Sequence, residues 1–325
     1  MVLSISLCAC GKGSTNNEEQ SSPTTLKKDS VTFNIHSLKG PTTIGITKLM
    51  SDNEAGKTKD NYEVTMHGTA DEIAAGMIKG DVDVALVPCN LASVLYQKTK
   101  QSVTVAGINT LGVLYVVGTN DTIKSVSDLK GKTIYATGKG TTPEYVMNYI
   151  LTTNGIDPNK DVTIEYKSES TEVVAMLNTS ENAIAVLPEP YVTTAATKNN
   201  KIHAVLDLTK EWDKVSNDGS SMVTAVVLVR NEFLEKNRDA FTTFMQSYKE
   251  SVDWVNKNVE DAAALCEKYG IVPAAVAKQA IPKCNITCIT GEEMKTKVSG
   301  YLSVLFKANP ASIGGSLPED NFYLQ

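Results

Sequence analysis

Arginine is nearly missing from this chain. Lysine and arginine together number 31, yet only Arg230 and Arg238 are arginine. A bidentate guanidinium clamp on an anionic ligand is thereby disfavoured. The histidines are three, His36, His67 and His203, far apart and without triad spacing. No G-x-S-x-G segment occurs, so there is no nucleophile elbow. GKTIYATGKGT is not a phosphate-binding loop, because Gly138-Lys139 is followed by Gly140 rather than serine or threonine. The net charge is -6 and no basic block is present, which argues against a nucleic-acid surface.

What is there is ordinary globular material. The chain has 325 residues, of which 42% are hydrophobic and 21% charged. That length suggests about two domains. A sizeable core can form without a metal or a disulfide framework. The first ten residues, MVLSISLCAC, are apolar and then small, too few to span a bilayer. They read as a truncated secretory signal. Leu7-Cys8-Ala9-Cys10 resembles a lipobox, which makes Cys10 the expected site of lipidation. Residues 11–29 hold one apolar side chain, Leu26, and read as a flexible tether.

Four further cysteines remain, Cys89, Cys266, Cys284 and Cys288. An extracytoplasmic location permits disulfides. One bridge is expected within Cys266, Cys284 and Cys288, with Cys89 reduced. Three pairings are open. The C-x3-C spacing has no histidine partners at zinc-site distances, and no metal is expected.

The chain carries a repeat at an offset of 100 residues. VTFNIHSLKGPTT (31–43) and GKTIYATGKGTTP (131–143) each read as a strand, a glycine-containing loop and a helix start. Lys39-Gly40 matches Lys139-Gly140, and Thr42 matches Thr142. Threonine before a helical run is a good cap for unpaired N–H groups. DEIAAGMIKGDVDVALVPCNLASVLYQ (71–97) aligns with TEVVAMLNTSENAIAVLPEPYVTTAAT (171–197), with Pro88 and Pro188 in register. The runs Val82–Val87 and Ala183–Leu187 suit parallel strands covered on both faces. Two such lobes facing each other would make a cleft, with ligand loops at the carboxyl ends of the strands.

Two valine- and leucine-rich segments, 111–120 and 220–233, can carry the chain between lobes and form a two-strand hinge. Phe233, Phe241, Phe244, Tyr248, Val252 and Val255 fit a helical stripe, as does the Met294–Phe306 stretch. These helices are expected to cover the first lobe. The expected division is 30–117 with 221–325 for lobe 1, and 118–220 for lobe 2.

Several segments together resemble the type II periplasmic binding fold. The nearest group is the nitrate/sulfonate/taurine and thiamine-precursor binding proteins of ABC transporters. The segments are IKGDVDVALVP, SVSDLKGKTIYATGKGTTPEY, LPEPYVT, VVLVRNEFLEKNRDAFTTF and SIGGSLPEDNFY. The resemblance implies an α/β, two-lobed protein with its ligand cleft between the lobes. It implies a monomer that serves a permease and its ATPase, with no cofactor and no bond chemistry. The alternative is an enzyme of the same fold in pyrimidine or menaquinone precursor synthesis, with a cleft side chain such as His36 reactive.

Carried over position by position, four helix starts would line the cleft. They supply Gly40, Pro41, Thr42 and Thr43, then Asn90 and Leu91, then Gly140, Thr141 and Thr142, and finally Glu189 and Tyr191. Helix starts have unpaired N–H groups and partial positive charge, which suits a carboxylate or sulfonate. Each threonine can instead simply cap its own helix. Glu189 would accept from an amino group, as on an aminopyrimidine, if it faces the cleft. Lys39 and Lys139 could screen an anion.

Overall fold

A computed structural model describes residues 30–119, 122–180, 182–216 and 220–325. The lipobox with Cys10 and the tether lie outside the described residues.

The first part of the chain builds β1 (Thr32–Leu38), α1 (Pro41–Ile44), α2 (Thr47–Glu54), β2 (Asn61–His67), α3 (Ala70–Lys79), β3 (Val84–Pro88), α4 (Cys89–Lys98) and β4 (Val103–Leu111). The middle part builds β5 (Leu114–Gly118), β6 (Thr133–Ala136), α5 (Thr142–Thr153), β7 (Thr163–Tyr166), α6 (Ser170–Thr179), β8 (Ile184–Pro188), α7 (Tyr191–Lys198), β9 (His203–Asp207) and α8 (Leu208–Val215). The last part returns as β10 (Val223–Arg230), α9 (Asn231–Lys236), α10 (Arg238–Lys257), α11 (Val259–Lys268), α12 (Ala274–Ala280), β11 (Ile286–Ile289) and α13 (Gly291–Ala308).

The strands form two sheets, ordered β11-β4-β10-β3-β1-β2 and β7-β6-β8-β5-β9. Each contains the same arrangement. A parallel trio (β2-β1-β3 or β7-β6-β8) is followed by one antiparallel strand and then an outer one. The antiparallel strand is in each case the one that follows a crossover, β10 in the first sheet and β5 in the second. The repeat is therefore real at the level of topology. β3 and β8 stand 100 residues apart, as do α3 and α6.

This corrects the expected lobe boundary. Leu114–Gly118 pairs with β8 and β9, so the outward passage falls at Gly112-Val113 rather than after residue 117. A valine-rich strand fits either sheet equally well, and only its pairing partners decide. Gly112 is required there by close approach. A Cβ on it would lie 2.1 Å from Thr209 Oγ1 and 2.7 Å from Met222 Cε.

The expected stripes are core. Phe241, Phe244, Tyr248, Val252 and Val255 of α10 pack with Phe233 onto one face of the first sheet. Met294, Val298, Tyr301, Leu302 and Leu305 of α13 belong to a second apolar cluster that continues into lobe 2 through Val146, Ile150 and Trp212. Among the described residues no helix is long and apolar enough to cross a membrane.

The expected disulfide is not formed: Cys89, Cys266, Cys284 and Cys288 are all free thiols. Cys266 and Cys284 pack into the apolar layer under α10, and Cys288 lies on the edge strand β11. They serve as small hydrophobes. Burial raises the Cys266 thiol to about 12 and the Cys288 thiol to about 11. Alkylation at mildly basic pH is expected to be slow on the folded protein and led by Cys288, the least buried of the four. Denatured without reductant, Cys89, Cys266, Cys284 and Cys288 should all react as free thiols. Two missing thiols would restore the bridge.

Candidate functional site

The carboxyl ends of the parallel strands of both sheets point at one another. Between them lies a cleft of about 360 Å³. Six strand-to-helix junctions contribute to it, three from each lobe. Lobe 1 supplies Pro41 and Thr42 after β1, Thr69, Ala70 and Asp71 after β2, and Pro88 after β3. Lobe 2 supplies Thr141 and Thr142 after β6, Ser170 and Thr171 after β7, and Pro188 and Tyr191 after β8. Helices α1, α3, α5 and α6 begin with residues on the lining, so their positive ends lie beside it, whereas α4 begins with Cys89, Asn90 and Leu91 off the lining and the Thr193 N–H of α7 goes to Glu189.

The charges on the lining are Lys39, Lys139, Lys167, Asp71 and Glu169. Lys167 stands 3.1 Å from Glu165, outside the cleft. Lys39 and Lys139 have no ion-pair partner among the described residues. The cleft therefore carries two lysines available to an anion.

The residues expected at the site divide into two groups. Gly40 closes the β1 end with φ 140, a conformation that favours glycine, and a Cβ on it would sit 3.6 Å from Tyr191 Cε2. The Thr42 and Thr43 hydroxyls both donate to the Leu38 carbonyl, so they close their own loop. Thr141 Oγ1 donates to Gly138 O at 2.7 Å, and the Gly140 N–H donates to Glu144. Pro41, Thr42, Thr141, Thr142 and Tyr191 line the cleft; Gly40, Thr43, Asn90, Leu91, Gly140 and Glu189 do not.

Asn90 and Thr142 instead join the lobes. Asn90 Nδ2 donates to Gly140 O at 3.2 Å and to Ser312 O at 3.0 Å. Thr142 Oγ1 reaches Asn90 Oδ1 at 3.4 Å and Thr224 O at 3.3 Å. Leu91 is a core residue. His36 lies behind the site, its Nδ1 2.9 Å from His67 Nε2, and His67 Nδ1 lies 2.7 Å from Glu72 Oε2.

Glu189 is neither facing the cleft nor solvent-facing. It is 1% exposed and accepts from the Thr193 N–H at 3.1 Å and the Thr193 hydroxyl at 3.0 Å, so it caps α7. Burial raises its carboxyl above the ordinary range, against the Thr193 bonds and Lys283, which lower it. The folded state thus holds this proton more tightly than the unfolded chain. The stability it contributes is full below the unfolded pKa and is lost as pH rises through the folded one. Glu189→Gln is expected to match the wild type in mild acid and to exceed it at pH 8. Denaturant midpoints at the two pH values check this. An offset that does not grow with pH would show that burial is not what governs Glu189.

Two junctions escaped the sequence reading, those opening α3 and α6. Gly68 and Glu169 face each other there: a Cβ on Gly68 would lie 2.5 Å from Glu169 Oε1. The signal was present, since residues 68–71 and 168–171 stand at the same offset of 100 as the other pairs. Thr224, also on the lining, carried no sequence signal.

Together the two sheets and the cleft between them define a fold class: the two-lobed type II periplasmic binding fold. Residues 55–206 match the family described as ABC transporter, phosphonate, periplasmic substrate-binding protein. No curated protein matches. Among solved structures, the chain is similar to an ABC transporter protein from Parabacteroides distasonis, with 23% identity, 91% of this chain and 99% of that one covered, and a TM-score of 0.73. It is similar to the periplasmic aliphatic sulphonate-binding protein of Escherichia coli, with 17% identity, 90% and 96% covered, and a TM-score of 0.68. It is similar also to the periplasmic nitrate-binding protein of Synechocystis, with 14% identity, 86% and 82% covered, and a TM-score of 0.63. Over residues 55–206 the chain is thus similar to the periplasmic substrate-binding components of ABC importers, and over most of its length it has their fold.

Proposed function

We propose that this protein captures a small organic anion, a sulfonate, phosphonate or carboxylate, and hands it to an ABC permease and its ATPase. Capture is by lobe closure, without bond chemistry. The observation that carries this reading is the convergence of helix starts from both lobes on one cleft that also holds Lys39 and Lys139 without ion-pair partners. Backbone N–H groups and lysines together replace the guanidinium that the chain lacks. The matched family and the similar structures, which are named for phosphonate, sulphonate and nitrate, support the same ligand chemistry. An aminopyrimidine-like ligand is less well supported, because Glu189, its expected acceptor, caps a helix instead. The enzyme reading is less well supported too, because His36, its expected reactive group, is not on the lining.

The same reading places the protein outside the cytoplasm as a monomer, held to the outer face of the cell membrane by lipid on Cys10. Expressed with a full signal in a bacterium, Cys10→Ala should leave the membrane fraction.

Calorimetric titration with short alkanesulfonates, alkylphosphonates and carboxylates tests the ligand class. At least one series should bind with 1:1 stoichiometry and reduce the radius of gyration in scattering. Binding confined to neutral or cationic compounds would overturn the reading.

A further inference from the structure

Behind the cleft, three titratable side chains in a row join the ends of β1 and β2 to α3. His36 of β1 meets His67 of β2 with Nδ1 2.9 Å from Nε2, and the ring centroids lie 4.6 Å apart. His67 Nδ1 lies 2.7 Å from Glu72 Oε2 on α3, and the Thr69 hydroxyl donates to Glu72 Oε1 at 3.1 Å. Both rings are half-buried. The His67 carbonyl accepts the Lys39 N–H at 2.8 Å. His67 therefore ties together two junctions. One brings Lys39, Pro41 and Thr42 to the lining, and the other brings Gly68, Thr69, Ala70 and Asp71.

Counting protons shows what this row tolerates. With Glu72 ionised, His67 donates from Nδ1 and accepts at Nε2, so His36 donates from Nδ1. A first added proton can go to the outer nitrogen of His36, and Asp81 favours it there. A second must go to His67 Nε2, where it would face the His36 N–H and break the contact. The charged groups facing the pair are Glu72 of α3 and Asp81 in the turn after α3. Burial and His67 hold His36 below the ordinary histidine range, against Asp81, and the His67 bond lowers Glu72. Separated rings would accept both protons. The opened junction thus binds at least one proton more than the closed one. Acid then favours opening by about tenfold per pH unit below the ordinary histidine value of about 6.5.

We propose that the His36–His67 pair is an acid-sensitive switch, which holds the β1 and β2 ends of the cleft in place at neutral pH and releases them in acid, weakening the grip on a bound molecule. The consequence for binding rests on the anion-binding reading of the cleft; the switch itself does not.

NMR hydrogen exchange of the Lys39 amide, corrected for the intrinsic rate at each pH, reads the switch without any ligand. Protection in the wild type should fall about tenfold from pH 6.5 to pH 5.5. His36→Asn keeps a donor near the Nδ1 position, and its amide can turn its oxygen to a protonated His67. Protection in this variant should stay level. Should His36→Asn fold poorly by thermal unfolding, His67→Gln carries the same comparison. Ethanesulfonate, ionised throughout, reads the consequence: wild-type affinity should fall about tenfold over the same range, and that of the variant should not. Protonation of Asp71 and Glu169 on the lining would act the other way and strengthen anion binding in acid. Unchanged protection in the wild type, or an equal fall in the variant, would overturn the switch. Affinity that holds or rises in acid while protection falls would overturn its link to the cleft. Failure of every short anion to bind at neutral pH would overturn the anion reading and leave the exchange result to decide the switch.

Discussion

Trp212→Ala is expected to lower stability by about 3–5 kcal/mol, the range for truncating a large buried aromatic. Trp212 is fully buried on α8, in lobe 2. Its ring packs 4.7 Å from Tyr149 of α5 and 5.3 Å from Tyr301 of α13, measured between centroids. Its Nε1–H donates to Ser220 O at 3.0 Å. One side chain thus fastens the second lobe, the C-terminal helix of the first, and the segment by which the chain returns between them. Trp212→Phe keeps most of the burial and loses the indole hydrogen bond, so a smaller loss of about 1 kcal/mol is expected. Denaturant midpoints check both. Equal losses for the two variants would mean that the hydrogen bond, not the packing, carries the junction.

The second large effect is on binding rather than folding. Replacing Lys39 and Lys139 together with glutamate removes both free cations from the cleft lining and leaves the carboxylates of Asp71 and Glu169 there unopposed by them. Both side chains are exposed, so the fold should tolerate the change. Affinity for an organic anion should fall roughly 10- to 100-fold, mostly through slower association, because rim charges steer encounter more than they hold the ligand. Added salt should weaken the wild type toward the variant. Stopped-flow titration at two ionic strengths reads both effects. Unchanged association rates would remove the lysines from the account.

Much of this arrangement is legible in the sequence, for a physical reason. A strand followed by a glycine-containing loop and a helix start is a local pattern, and the chain writes it repeatedly at one offset. Lys39-Gly40-Pro41-Thr42 and Lys139-Gly140-Thr141-Thr142 therefore announce two lobes. What is not local does not show. Leu114–Gly118 is as apolar as β10, and its sheet is fixed by partners nearly 70 and 90 residues away along the chain. Glu189 follows a proline in a polar setting, yet Thr193 one turn on draws it into a buried cap. Asn90 stands at a helix start like the others, yet its amide bonds Gly140 O of one lobe and Ser312 O of the other. Thr224 sits within a valine-rich strand, where no pattern announces a bulge.

Under the proposed function the cleft holds a small organic anion and leaves it chemically unchanged. Native mass spectrometry after incubation with a mixture of short sulfonates, phosphonates and carboxylates tests it most directly. A single 1:1 adduct is expected on the wild type, lost from the Lys39→Glu, Lys139→Glu double variant, with the released compound identical in mass to the one added. An adduct retained by the double variant, or a released compound of altered mass, would contradict it.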